Sequence, residues 1–203
     1  DSGKFNADRD EVLRAVHESG VALVGDPGDS GVTSERAVAL AQAHDFVYAA
    51  VGWHPEEADS WTDGSLAHIR ALAAQPKVCA IGEIGLDYYW DASTKAKQER
   101  MFRAQLELAL ELDLPVIVHD REAHGDSLRI VCDYPQLRGV FHCYSGSVEM
   151  ARELLRRGWY LGFDGPITYK NAAKAPEVIA ACPAARILLK TYSPYQAPVP
   201  NRG

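Results

Sequence analysis

Three residues at the ends of apolar runs set the chemistry open to this chain. They are Glu83 in 78-VCAIGEIG-85, His119 in 115-PVIVHD-120 and His142 in 139-GVFHC-143. Each closes a run in a separate segment, so a parallel sheet could bring all three together. Two imidazoles and a carboxylate are a common ligand set for Zn²⁺ or a similar divalent ion, and three protein ligands leave a position for water. Taken singly, each also reads as a strand-end side chain satisfied by one hydrogen bond. Equivalent places in three separate units favour a metal role.

Further candidates lie beside them. His54 in 52-GWHPEE-57 precedes a proline that biases it toward extended backbone. Its ring either reaches a phosphate or a metal-bound water, or merely caps the strand end. Arg121 in 119-HDREA-123 offers a two-pronged grip on a phosphate oxygen, or else pairs with Glu122 or Asp120. In 83-EIGLDYYW-90, Asp87 and Tyr88 are placed to orient ligands or flank a substrate base. Tyr88, Tyr89 and Trp90 read equally as a cover over the mouth of a barrel. Asp164 also ends an apolar run, and Met101 and Phe102 read as core. The last run, 187-ILLKT-191, ends differently, in Lys190 and then Tyr192. A phenol with a pKa of about 10 is neutral near pH 7 and a poor ligand for Zn²⁺ or Mg²⁺. A lysine pointing into the site would repel a metal and could attract a phosphate in its place.

Seven β-branched runs position these residues: 21–25, 47–55, 78–85, 115–120, 139–143, 159–165 and 187–191. Most are too continuously apolar for half-exposed strands and read as strands buried on both faces. Helical patterns alternate with them at 8–19, from a cap at Thr33 or Ser34 to about His44, at 62–74, 95–113 and 148–157, and near 173–181. In the first, Val12, Ala15, Val16 and Ser19 share a side. In the fourth, Phe102, Leu106, Ala109 and Leu110 form a stripe. Strand and helix at this rhythm mean parallel βαβ units. The fold class expected is α/β, a TIM barrel with seven of its eight strands recognisable and the first missing; an open doubly wound sheet is the competing form. The glycine-rich 25-GDPGDSG-31 matches no phosphate-loop pattern and reads as a flexible loop.

The chain has 203 residues, 47% hydrophobic, which fits one domain over residues 1–203 with a sizeable core. With 21 Lys+Arg against 28 Asp+Glu its formal charge is -7, which gives no general attraction to nucleic acid. Four scattered cysteines without a CxxC read as mostly buried free thiols in a reducing compartment, and a cytoplasmic location is expected. No apolar stretch is long enough to span a membrane.

Taken together, 49-AAVGWHPEEA-58, 80-AIGEIGLDYYW-90, 116-VIVHDREA-123, 140-VFHCYSGS-147, 161-LGFDGPITYKN-171 and 193-SPYQAPVPNRG-203 resemble the TatD family of metal-dependent deoxyribonucleases over nearly the whole chain. The resemblance implies a TIM-barrel metallohydrolase that cleaves phosphodiesters of DNA, often from a 3′ end, through metal-bound hydroxide. It implies one or two divalent ions (Zn, Mg or Mn). It also implies a bridging Glu83, His119 and His142 as ligands of one ion, and His54 and Arg121 near the substrate phosphate. Partners implied are DNA or a small phosphodiester. The family's opening His-x-His pair is absent from these residues, and its Glu-Thr-Asp run is here Lys190, Thr191, Tyr192. The family also continues past the equivalent of Gly203, so the domain reads as incomplete at both ends. Weakened activity is expected, with open sheet edges near 21–25 and 187–191 inviting self-association. A non-enzymatic binding or structural relative is the rival. Another hydrolase of the same barrel class would need a ligand such as Asp164 in place of the lost aspartate.

Overall fold

A computed structural model describes residues 2–90 and 92–201. Asp1, Asp91, Arg202 and Gly203, including both ends of the expected domain, lie outside the described residues. Strands β1 (Val24–Pro27), β2 (Val47–Val51), β3 (Val78–Asp87), β4 (Val116–Arg121), β5 (Gly139–Phe141), β6 (Tyr160–Phe163) and β7 (Ile187–Leu189) form one sheet. Every neighbouring pair is parallel and the spatial order follows the chain from β1 to β7. This is a seven-stranded parallel sheet in half-barrel form, as expected of a TIM barrel with one strand absent.

Helix α1 (Arg9–Glu18) precedes β1, and α2 (Gly31–Ala43), α3 (Ser65–Ala73), α4 (Lys95–Glu111), α5 (His124–Cys132), α6 (Val148–Arg156) and α7 (Ala175–Ala181) fill the crossovers. The core lies between them and the sheet. Ala37 and Ala41 of α2, Met101, Phe102, Leu106 and Ala109 of α4, and Leu154 of α6 are buried with Val51, Ile81, Leu86, Val118 and Phe141 of the strands. No helix among the described residues is long and apolar enough to cross a membrane.

Several local expectations are corrected. Strand β1 starts at Val24, where the Val24 amide donates to the Phe46 carbonyl; Val21 and Leu23 stay exposed before it. Helix α2 is capped by Ser30, whose hydroxyl accepts from the Thr33 amide while Thr33 closes a capping box. The glycine-rich loop is packed. The Glu83 amide donates to the Gly28 carbonyl at 2.9 Å, and a Cβ on Gly28 would meet Ser34 at 2.4 Å. No residue of α1 is buried, so its apolar side finds only partial cover. Of the four free cysteines, Cys182 alone is buried and Cys79 is exposed.

Candidate metal centre at the carboxyl ends of the strands

The three predicted ligands meet. Glu83 sits within β3, His119 within β4, and His142 directly after β5, where its amide donates to the Val118 carbonyl at 3.0 Å. His119 Nδ1 lies 3.0 Å from Glu83 Oε1 and 3.4 Å from His142 Nε2, and His142 Nε2 also contacts Glu83 Oε1. Glu83 and His142 are buried.

Asp87 settles the orientation of His119. Its Oδ2 lies 2.9 Å from His119 Nε2, so the ring donates that proton outward and turns Nδ1 toward Glu83. A carboxylate behind a ligating imidazole fixes the tautomer and strengthens the ligand. Asp87 Oδ1 accepts from the Tyr89 amide at 2.9 Å and from the Trp90 amide at 3.4 Å, so the same carboxylate shapes the turn after β3.

His54 takes the opposite tautomer to His119. Its Nδ1 accepts the Glu56 amide hydrogen at 3.2 Å, so the neutral ring carries its proton on Nε2 and presents it to Glu83 Oε1 at 3.4 Å. That makes His54 a hydrogen-bond donor in the site. Its backbone is held by its own amide, which donates to the Asp29 carbonyl at 2.8 Å.

The electrostatics follow from this crowding. Burial alone would raise the Glu83 pKa. The charge of His142 and hydrogen bonds from His119, His142 and His54 overturn that and hold the carboxyl well below its usual range. Burial likewise works against charge on His119, but the Asp87 and Glu83 carboxylates outweigh it and push the ring up to about 9 in the metal-free site. Burial holds His142 below its ordinary value against the pull of Glu83, and the charges of Lys190 and His119 add to the effect. A buried carboxylate facing two inward nitrogens, with Asp87 supporting one of them, is a donor set that fits a divalent cation. Two groups of side chains could bring ligand atoms within 4.8 Å of one another, His54–Glu83–His119 and Glu56–Asp87–His119; both contain His119, neither contains His142, and His54 would join only after giving up its Nε2 proton. The site therefore has donors for one or two divalent ions.

The remaining candidates are distributed around this centre. The Arg121 guanidinium lies over Tyr89 at 3.8 Å and near Trp90 at 5.4 Å, and no ion pair to Glu122 or Asp120 is formed among the described residues. Asp120 instead binds His124 at 2.7 Å and accepts from the Ser127 hydroxyl at 3.1 Å, tying down α5. Tyr88 donates its hydroxyl to Asp126 at 3.0 Å; burial and that partner raise its pKa. Tyr89, with Arg121 over one ring face, and Trp90 remain exposed, at 54% and 64%. Beside them is a cleft of about 190 Å³ lined by Pro55, Glu56, Asp87, Trp90, Thr94 and Gln98, among others. Lys190 follows β7, and Tyr192 lies half exposed with its ring 4.4 Å from the Lys190 ammonium.

Two functional supports were not anticipated. The Gln98 side chain accepts from the Asp87 amide at 2.9 Å and donates to the Asp87 carbonyl at 2.8 Å. Gln105 does the same for Trp53, at 2.7 and 3.0 Å, next to His54. The available signal was two glutamines one heptad apart on the otherwise apolar stripe of α4.

The family model for the TatD related DNases matches residues 1–203. The chain belongs to the TatD family. It is 41% identical over 202 residues to a Bacillus subtilis protein named as an uncharacterized metal-dependent hydrolase, YabD, covering 98% of this chain and 79% of that one. It is 40% identical over 200 residues to the 3′-5′ ssDNA/RNA exonuclease TatD of Cronobacter sakazakii, covering 97% and 76%. Among solved structures, the TatD homologue YJJV of Escherichia coli superposes with a TM-score of 0.90 at 34% identity, over 97% of this chain and 77% of that chain.

Proposed function

We propose that this TatD-family chain hydrolyses phosphodiester bonds of single-stranded nucleic acid from a 3′ end, or of a small phosphodiester, using a divalent ion held by Glu83, His119 and His142. The convergence of these three side chains, with Asp87 setting the His119 tautomer, carries the proposal. Zn²⁺, Mg²⁺ or Mn²⁺ in that position would supply Lewis acidity and lower the pKa of a coordinated water.

The chain's own groups provide the rest. Ionised Glu83 keeps a negative charge in the ligand set. The His54 Nε2 proton, which faces Glu83 Oε1 at 3.4 Å, would pass to a non-bridging phosphate oxygen that displaces this long contact. Arg121, held over the Tyr89 ring, keeps a planar fork of donors for the same phosphate. Glu83, His54 and Arg121 are the catalytic residues in this reading. The exposed rings of Trp90 and of Tyr89, on the side away from Arg121, offer surface for stacking of unpaired bases, worth about 1–3 kcal/mol per base. Their exposure favours a single strand, in keeping with the activity named for the Cronobacter relative. Unpaired cysteines fit a cytoplasmic setting. The uncovered edges of β1 and β7 suit self-association.

A second reading, a binding protein without turnover, draws support from Lys190 and Tyr192, which bring a cation and a neutral phenol to the site's edge. A 5′-labelled single-stranded oligonucleotide incubated with Mg²⁺, Mn²⁺ or Zn²⁺ separates the two. Metal-dependent shortening that stops on chelation is expected, slower than that of a TatD relative. Bound metal with no cleavage under any ion would establish the second reading.

A further inference from the structure

Three successive strand ends carry a linked set of side chains outside the ligand group: Cys143 after β5, Asp164 after β6 and Lys190 after β7. Lys190 Nζ donates to Cys143 Sγ at 2.9 Å, and the Cys143 thiol donates to Asp164 Oδ2 at 3.0 Å. The Lys190 amide donates to the Phe163 carbonyl at 2.9 Å, which fixes the residue at the end of the sheet. Sulfur is a weak acceptor. It is nevertheless the one hydrogen-bond acceptor that Lys190 Nζ meets among the described residues. Asp164 is engaged by the thiol and forms no ion pair with the ammonium.

A half-buried cation is thus held in place without a direct ion pair among the described residues, and it has N–H donors left over. Burial opposes its charge, but the Cys143 sulfur and the Glu83 and Asp164 carboxylates outweigh it, so the group remains an ammonium near neutral pH. Cys143 directly follows His142 in the chain, so its 2.9 Å contact with the Lys190 ammonium places that charge beside the ligand group.

We infer that Lys190 is an anion-binding residue that holds a phosphate group of the ligand next to Glu83, His119 and His142. The contact deepens the proposed function and rests on it for the natural ligand, but it requires no turnover. A compact ammonium on a stem fixed by Cys143 acts as a point charge for phosphate, and charge-assisted hydrogen bonds are the stronger kind.

Isothermal titration of the purified chain with inorganic phosphate tests it. Lys190→Met removes the charge at similar length and should weaken binding about tenfold or more, while Lys190→Arg should keep most of it. Equal phosphate affinity in the parent chain and Lys190→Met would overturn the inference. Should Lys190→Met fail to fold, ¹³C-dimethylation of the parent chain's lysines gives a second readout, with Lys190 assigned by its absence from Lys190→Arg. Saturable movement of that resonance on phosphate titration supports the contact; an unmoved resonance overturns it. Phosphate binding through Lys190 in a chain that cleaves no oligonucleotide would refute the nuclease reading and uphold this one.

Discussion

At the residue scale, one carboxylate decides how the centre works. Asp87 accepts the His119 Nε2 proton and leaves Nδ1 for a cation, so Asp87→Asn should weaken metal affinity by about 10–100-fold with the fold intact. Competition titration against a chromophoric chelator reads this directly. Protonation follows from the same contacts. In the metal-free chain His119 titrates near 9, above its unfolded value of about 6.5. Its contribution to stability is therefore fully present below about pH 6.5 and lost as pH rises through about 9. Glu83, depressed below its usual range, contributes above its unfolded pKa and loses that contribution as pH falls. Denaturant melts of metal-free protein between pH 6 and pH 10 should show the alkaline loss, and bound metal should suppress it. That Glu83, His119 and His142 would converge was legible in the sequence because each lies in or directly after a separate buried apolar run, although β3 continues past Glu83 to Asp87. The tautomers and the turning of Tyr88 toward Asp126 were not legible, because they depend on hydrogen bonds to residues distant in the chain.

At the element scale, α4 does more than cover the sheet. Its buried glutamines hold the chain just after β2 and at the end of β3, so the helix sets the spacing between His54 and Asp87. Gln105→Leu would leave the Trp53 amide and carbonyl buried without partners, at a cost of roughly 1–3 kcal/mol for each group. A lower midpoint in urea, with an unchanged m-value, is the expected result. The parallel strands were readable from their continuous apolar runs. Helix α5 is not legible in the sequence, since it is short and opens on His124, Gly125 and Asp126. The α2 cap was misplaced because 28-GDSGVTS-34 offers several capping side chains, and packing of Gly28 on Ser34 favours Ser30. For the same reason the loop that reads as flexible by composition is ordered.

For the molecule as a whole, the sheet runs from β1 to β7 and leaves apolar side chains bare at both margins. Leu23 is 65% exposed and Leu189 is 90% exposed. We expect reversible, concentration-dependent association through these edges, weakened by Leu189→Lys, with sedimentation velocity as the measurement. A monomer at all concentrations would remove that expectation without touching the site. The central claim is that strands β3, β4 and β5 together bring one divalent ion to Glu83, His119 and His142. Elemental analysis of the purified chain after dialysis against Zn²⁺ or Mn²⁺, alongside Glu83→Ala, tests it most directly. About one ion per chain, lost in the variant, is the predicted result. A chain that takes up no ion, or a Glu83→Ala variant that retains it in full, would contradict the account.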